Sequence, residues 1–319
     1  EDALLARSTA TSALAEGYQL NGEVVAARRV LADARSLHEQ ANNLSSILGD
    51  TIARGDLLIM QGKLREATDV YAPVPEAAGE RQYFAIQALI GLGNIAYECN
   101  ERDKAETHLE RAITLARKTR DTVLLARASL VHARVIQACG DAEHTSEEWA
   151  STLLVAQACG YTGIVEQAQA YQVRGWLKLG RREEAIQWQK ASSFAHDAPP
   201  SYPQEVLALT LVRCLLAQGE AGEALRMLGR WRQHARVQER TGSEIEMLML
   251  SALAYAKQGK AEQAVQLLQQ ALLLASPEGY IRVFVDEGVP MIALLSLVLS
   301  RWKNKPEASS LHALLSVLH

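Results

Sequence analysis

Leu92-Gly-Asn-Ile-Ala-Tyr-Glu-Cys-Asn-Glu-Arg-Asp-Lys-Ala-Glu-Thr-His-Leu-Glu-Arg-Ala112 carries the logic of the fold. The apolar first part ends at Asn100, a residue that tolerates the left-handed backbone closing a helix. A few polar residues then reverse the chain. Ala105 lets two helix backbones approach closely, and Leu109 and Ala112, one and two turns later, pack between helices. The same turn recurs at Gly22, Gly62, Gly140, Gly180, Gly219 and Gly259, so that with Asn100 the intervals are 40, 38, 40, 40, 39 and 40 residues. Five residues past the turns stand Ala27, Ala67, Ala185, Ala224 and Ala264. Each hairpin leaves one apolar face uncovered, which only the next hairpin can bury. The stack is therefore the stable unit.

Six of the eight prolines (Pro73, Pro75, Pro199, Pro200, Pro203 and Pro277) fall between hairpins, where proline ends one helix and can begin the next. The pattern predicts an all-α, right-handed α-solenoid of about seven helix pairs with a period of ~40 residues. Residues 1–279 form the superhelix, and residues 280–319 a helical cap or interface continuous with it. The fourth unit departs from the rule, because Thr145 stands where Ala is expected. A lengthened turn over Asp141–Glu148 is expected there, with Ala150 taking the packing role and Trp149 covering the joint.

Composition narrows the function. Apolar residues are 48% and charged residues 22% of the 319, an ordinary soluble balance. The net charge of −4 argues against gripping a phosphate backbone. Cys99, Cys139, Cys159 and Cys214 lack CxxC or zinc spacing and read as reduced packing thiols of a cytoplasmic protein. The longest apolar stretch, Met291–Leu299, falls far short of the ~18 residues that span a bilayer. The chain begins at Glu1 instead of Met, so it is expected to be a piece of something longer.

Leu92-Gly93, Ala96, Ala105, Leu109 and Ala112, and again Tyr255, Ala264, Leu268, Ala271 and Pro277, resemble the tetratricopeptide repeat (TPR), although forty residues exceeds its usual thirty-four. Units of this length resemble the MalT-like region of large ATP-binding transcription regulators of the LuxR class. Ser276-Pro-Glu-Gly-Tyr-Ile-Arg-Val-Phe-Val-Asp-Glu-Gly-Val-Pro-Met-Ile-Ala-Leu-Leu295 is similar to the segment closing the repeat region in those regulators. Glu1–Gln19 is similar to its start. The resemblance implies an ATPase module upstream and a helix-turn-helix domain downstream. This chain has no GxxxxGK[ST] loop and no recognition helix after Leu295, so no cofactor is expected within it, and ATP only in the upstream module.

Apparent catalytic motifs dissolve on inspection. Gly91-Leu-Gly93-Asn-Ile-Ala96 matches a dinucleotide fingerprint that requires a preceding strand, whereas Ala85–Leu92 continues a helical pattern. Close helix packing is the expectation. The eight histidines show no HExxH or paired ligand spacing, there is no GxSxG elbow, and no nucleophile, base and orienting group can be assembled. No metal site and no enzyme activity are expected. Lys303–Lys305 reads as a solvated loop. Ile281–Val285 is β-branched but follows Pro277-Glu278, a good helix start, and a short helix is favoured.

Function is expected in the concave groove. Six residues before each turn stand Glu16, Asp56, Asn94, Arg134, Arg174, Arg213 and Leu253. Arg134, Arg174 and Arg213 would form a ladder with steps of about 10 Å, one helix spacing. Arg127 and Gln167 fall one or two turns away on the same face, and Tyr97 and Gln137 three residues past ladder positions. Two readings of the ladder stand open. Its guanidinium forks hold an anionic or hydroxyl-rich ligand or an acidic peptide, or internal carboxylates satisfy each one and it only supports the stack.

For the whole chain, one expectation is an effector- or partner-binding sensor and relay domain of a bacterial transcription regulator. Its partners would be a small-molecule effector, a regulatory protein or peptide, or a second copy through the apolar tail (Met291–Leu299 and Leu311–Leu318). No direct contact with nucleic acid or membrane is expected. The alternative is a free-standing TPR adaptor docking peptide segments of partner proteins.

Overall fold

A computed structural model describes residues 2–140, 142–192, 194, 197, 199–302 and 316. Every described element is helical, and the helices follow one another as seven pairs. The pairs are α1 (Asp2–Leu20) with α2 (Val24–Gln40), α3 (Leu44–Met60) with α4 (Leu64–Tyr71), α6 (Gln82–Glu98) with α7 (Arg102–Thr119) and α8 (Thr122–Cys139) with α9 (Ala142–Ala158). The stack continues with α10 (Thr162–Lys178) and α11 (Arg182–Ala191), α12 (Glu205–Gln218) and α13 (Ala221–Val237), then α14 (Thr241–Lys257) and α15 (Ala261–Ala275). A short α5 (Val74–Ala77) follows α4, and α16 (Arg282–Val285) and α17 (Val289–Trp302) follow the last pair.

The periodic turn does what its chemistry requires. All seven positions read from the repeat adopt the left-handed backbone, with φ from 59° at Asn100 to 87° at Gly219. Ala27, Ala67, Ala105, Ala185, Ala224 and Ala264 are all fully buried. Gly91 and Gly93 lie within α6, and a Cβ on either would fall 2.7 Å from the Tyr71 ring or 2.6 Å from Leu109. The glycines serve helix packing.

Two expectations are corrected. The fourth pair has no lengthened turn: α9 begins at Ala142, straight after the turn at Gly140. Thr145 is itself buried in the alanine's place, Trp149 is buried four residues later in the leucine's place, and Ala150 is exposed. A threonine is small enough for the close-approach position, and the indole fills the gap beside it while donating from Nε1 to Gln137 Oε1 at 2.7 Å. The second correction concerns Pro277-Glu278, which start no helix. They form a 3-10 turn ending α15, the chain reverses at left-handed Gly279, and the expected short helix begins only at Arg282.

The superhelix completes a turn and meets itself. The turn of the first pair, at Gly22, lies against Tyr202 and Arg240. The turn of the second, at Gly62, packs on the backbone of Thr241 and Gly242. After the third, the backbone N–H of Ile281 donates to the carbonyl of Glu98 at 2.8 Å and Arg282 donates to Asn100. Early turns thus sit on the linkers of late pairs. One apolar core accordingly joins Leu48, Ile52 and Leu64 to Leu248, Leu268 and Phe284. Met291, Leu294, Leu295 and Val298 of α17 are buried in that core. Lys303–Lys305, and the tail over 311–318 apart from Ser316, lie outside the described residues.

Candidate functional site

First helices line the inside of the superhelix around a half-open cavity of about 1290 Å³. All nine residues singled out from the sequence line it: Asp56, Asn94, Tyr97, Arg127, Arg134, Gln137, Gln167, Arg174 and Arg213. Leu253 joins them. Glu16 does not line the cavity and is exposed, whereas Gln19 and Leu20 near the end of the same helix do line it.

The ladder register is direct. Arg134 donates to Asn94 Oδ1, its counterpart one pair earlier, at 2.9 Å, and to Glu98 Oε1 at 2.8 Å. Its guanidinium lies between two rings, 4.4 Å from the centre of Tyr97 and 4.5 Å from that of Tyr171, a cation–π sandwich. Tyr171 also faces Arg174, at 4.8 Å. Arg174 donates to Thr210 Oγ1 at 2.8 Å and to Glu246 Oε1 at 2.9 Å, and Arg213 reaches the same Glu246 oxygen at 2.9 Å. Arg213 also bonds Glu287, through Nε at 2.9 Å and a terminal nitrogen at 2.5 Å. Every ladder arginine therefore has an internal carboxylate. Arg127 differs: it is exposed to the cavity and makes no hydrogen bond or ion pair among the described residues.

These pairings set the electrostatics. Burial works against charge on Glu246, yet Arg174 and Arg213 pull its carboxyl down to about 2. Burial pushes Glu98 upward although Arg134 pulls the other way. Asp56 accepts from Gln19 at 2.9 Å and from the Tyr71 hydroxyl, and burial again raises its carboxyl. Burial likewise raises the Tyr97 hydroxyl, which donates to Asp286. Seven Lys and Arg side chains face six Asp and Glu side chains around the wall. The wall mixes aliphatic side chains such as Ile90, Leu130 and Val131 with phenol and amide groups and nearly balanced charges, and its donors and acceptors can meet hydroxyl or carboxylate groups of a ligand.

Sequence reasoning missed the partners. Glu98 lies one turn past Asn94, and Glu246 seven residues before Leu253 on the row of Arg127 and Gln167, so both were within reach of the helical period. Lys178, one turn past Arg174, was within reach in the same way as Glu98, whereas Asp286 and Glu287 had no signal, because the closing segment lies outside the repeat. It also missed a trio far apart in sequence. His38 Nδ1 lies 2.7 Å from Asp50 Oδ2, and His38 Nε2 lies 3.4 Å from Ser12 Oγ. A serine, a histidine and a carboxylate thus do come together, contrary to expectation. The backbone N–H groups around Ser12 are committed to hydrogen bonds within α1, and His38 and Asp50 are each only 3% exposed. With its histidine and carboxylate so deeply buried, the trio reads as a polar brace for the first three helices.

Among the described residues no group of His, Cys, Asp and Glu could hold a metal ion, and no helix is long and apolar enough to cross a membrane. A comparison with protein families matches residues 1–301 to the MalT-like TPR region. No curated protein matches the chain.

Proposed function

The chain belongs to the MalT-like TPR region family, and on that premise we propose that it is the effector-sensing and relay domain of a bacterial transcription regulator. It works in the cytoplasm, between an ATPase module upstream and a helix-turn-helix domain downstream. The observation carrying this reading is the composition of the cavity wall. It draws side chains from every helix pair and from the closing segment, which runs directly into α17. An occupant therefore touches early repeats, late repeats and the chain's exit at once. Small rotations between repeats sum to large changes along a solenoid, and a ligand spanning several repeats favours one curvature.

The cavity exceeds the ~300–1,000 Å³ of ordinary ligand pockets and falls far below the volume of a folded protein. That is room for a small molecule of several polar units or for a short peptide segment.

A thermal-shift screen of the chain with sugars, nucleotides and small acids is the test, followed by calorimetry on alanine variants of Arg134, Arg174 and Arg213. Binding that the variants abolish supports the sensor. A ligand bound equally well by all three, or no ligand at all, argues for a purely structural wall.

A further inference from the structure

The last stretch of cavity wall comes from the segment after the seventh pair, and it brings two adjacent carboxylates, Asp286 and Glu287. Phe284 and Val285 are buried in the core before it, and Met291 after it. Between these anchors, residues 286–290 form a partly exposed tip with left-handed Gly288 and with Pro290. The tip projects two acids into the cation-bearing wall. Asp286 accepts from Tyr97 and from Arg282, and stands 3.7 Å from Lys178 Nζ. Glu287 takes the fork of Arg213. Three residues from three other pairs thus bind one short acidic loop as a receptor binds a ligand: Tyr97 from the third, Lys178 from the fifth and Arg213 from the sixth, the last shared with Glu246 of the seventh.

The charge balance sharpens the point. Seven cations face six carboxylates while the tip is in place. Two of the six belong to the tip, and without them seven face four. The tip is what makes the wall nearly neutral. Its anchors do not depend on those two acids, since Phe284, Val285 and Met291 are held by apolar packing.

We propose that Asp286 and Glu287 are a built-in occupant of this end of the cavity, and that the ligand recognised there carries two neighbouring carboxylates which replace them on Arg213, Lys178 and Tyr97. Exchange moves the tip while its anchors stay. Because α17 begins at Val289, inside the tip, the exchange is felt in the first residues of the last helix, ahead of the anchor at Met291. The proposal deepens the sensor reading and rests on it.

The test compares the full chain with D286N/E287Q, using two probes, citrate and the peptide acetyl-Val-Asp-Glu-Gly-amide, with acetyl-Val-Asn-Gln-Gly-amide as control. Removing an internal competitor raises apparent affinity by the reciprocal of the fraction of sites it had left open. Calorimetry is expected to show an acidic probe binding D286N/E287Q at least about tenfold tighter than the unmodified chain, with the control peptide silent. Citrate alone binding points to a small acid, and the peptide alone to an acidic protein segment. Equal or weaker binding by the double variant overturns the proposal, as does no binding of either probe to either protein. Should the variant fold poorly by circular dichroism, hydrogen exchange on the unmodified chain decides. An acidic probe must speed exchange at Glu287 and Gly288, and unchanged rates there sink the idea. The sensor reading is judged separately: a neutral effector that binds both proteins equally would leave it standing and remove only the exchange.

Discussion

Arg213 and Glu287 stand 74 residues apart, and two nitrogens of the one meet a single oxygen of the other at 2.9 and 2.5 Å. The contact ties the sixth pair to the closing segment, and Glu246 links the same arginine to Arg174 at 2.9 Å on each side.

Removing the shared acid is expected to hurt. Glu246→Gln leaves Arg174 without its carboxylate where burial makes an unpaired charge costly, while Arg213 keeps Glu287. Breaking such a pair costs about 2–4 kcal/mol when one partner keeps some contact with water, and the Glu246 side chain is 22% exposed. Urea unfolding measures the loss. A change below about 0.5 kcal/mol would place the network among ordinary surface pairs.

Glycines in superficially similar helical settings should respond in opposite directions. A methyl group at Gly91 or Gly93 meets Tyr71 or Leu109 at under 3 Å, and overpacking of this kind costs about 1–3 kcal/mol. Gly229, inside α13, has nothing within 4 Å of a Cβ, and Gly229→Ala should stabilise by about 0.5–1 kcal/mol through helix propensity. Thermal unfolding of the three alanine variants checks the order. A stabilised Gly91→Ala would contradict the packing.

Stability should peak on the acid side of neutral. Burial raises the carboxyls of Asp50, Asp56, Glu98 and Glu205 in the folded chain. As pH falls through those raised values the folded state takes up protons first, and stability grows until the unfolded carboxyls titrate near pH 4. Glu246 acts with the opposite sign. Held near 2 against an ordinary 4.5, it stabilises fully above pH 4.5 and loses that contribution as pH falls toward 2. Unfolding midpoints from pH 8 to 3 should rise and then fall, and Asp56→Asn should flatten the rise. A steady decline from pH 8 downward would refute this.

Thiol labelling offers a simple check of the core. Burial pushes Cys99 up to about 11 and Cys214 up to about 12, while Cys139 is exposed. Since the thiolate is the reactive form, maleimide at pH 7 should modify Cys139 well before Cys99 or Cys214. Native labelling of Cys214 at the rate of Cys139 would mean the fifth and sixth pairs pack differently.

The repeat was legible because its information is local. A left-handed turn, an alanine five residues on and a leucine four beyond that recur whatever surrounds them, and the cavity row six residues before each turn follows from the helical period alone. Thr145 and Trp149 misled because two substitutions compensated each other within the same register. The pairing of Arg213 with Glu287 and the contact of Gly62 with Gly242 stayed hidden for another reason. They depend on how far each pair rotates against the next, a quantity summed over several interfaces, which no single residue pattern records.

The contact of early turns with late linkers also limits motion. A spring whose coils already touch cannot be squeezed shorter; it can only lengthen or unwind. With the backbone at Gly62 seated on Thr241 and Gly242, and Ile281 bonded to Glu98, the large-scale movements open to this chain share one sign. Any such movement is an elongation away from the compact state.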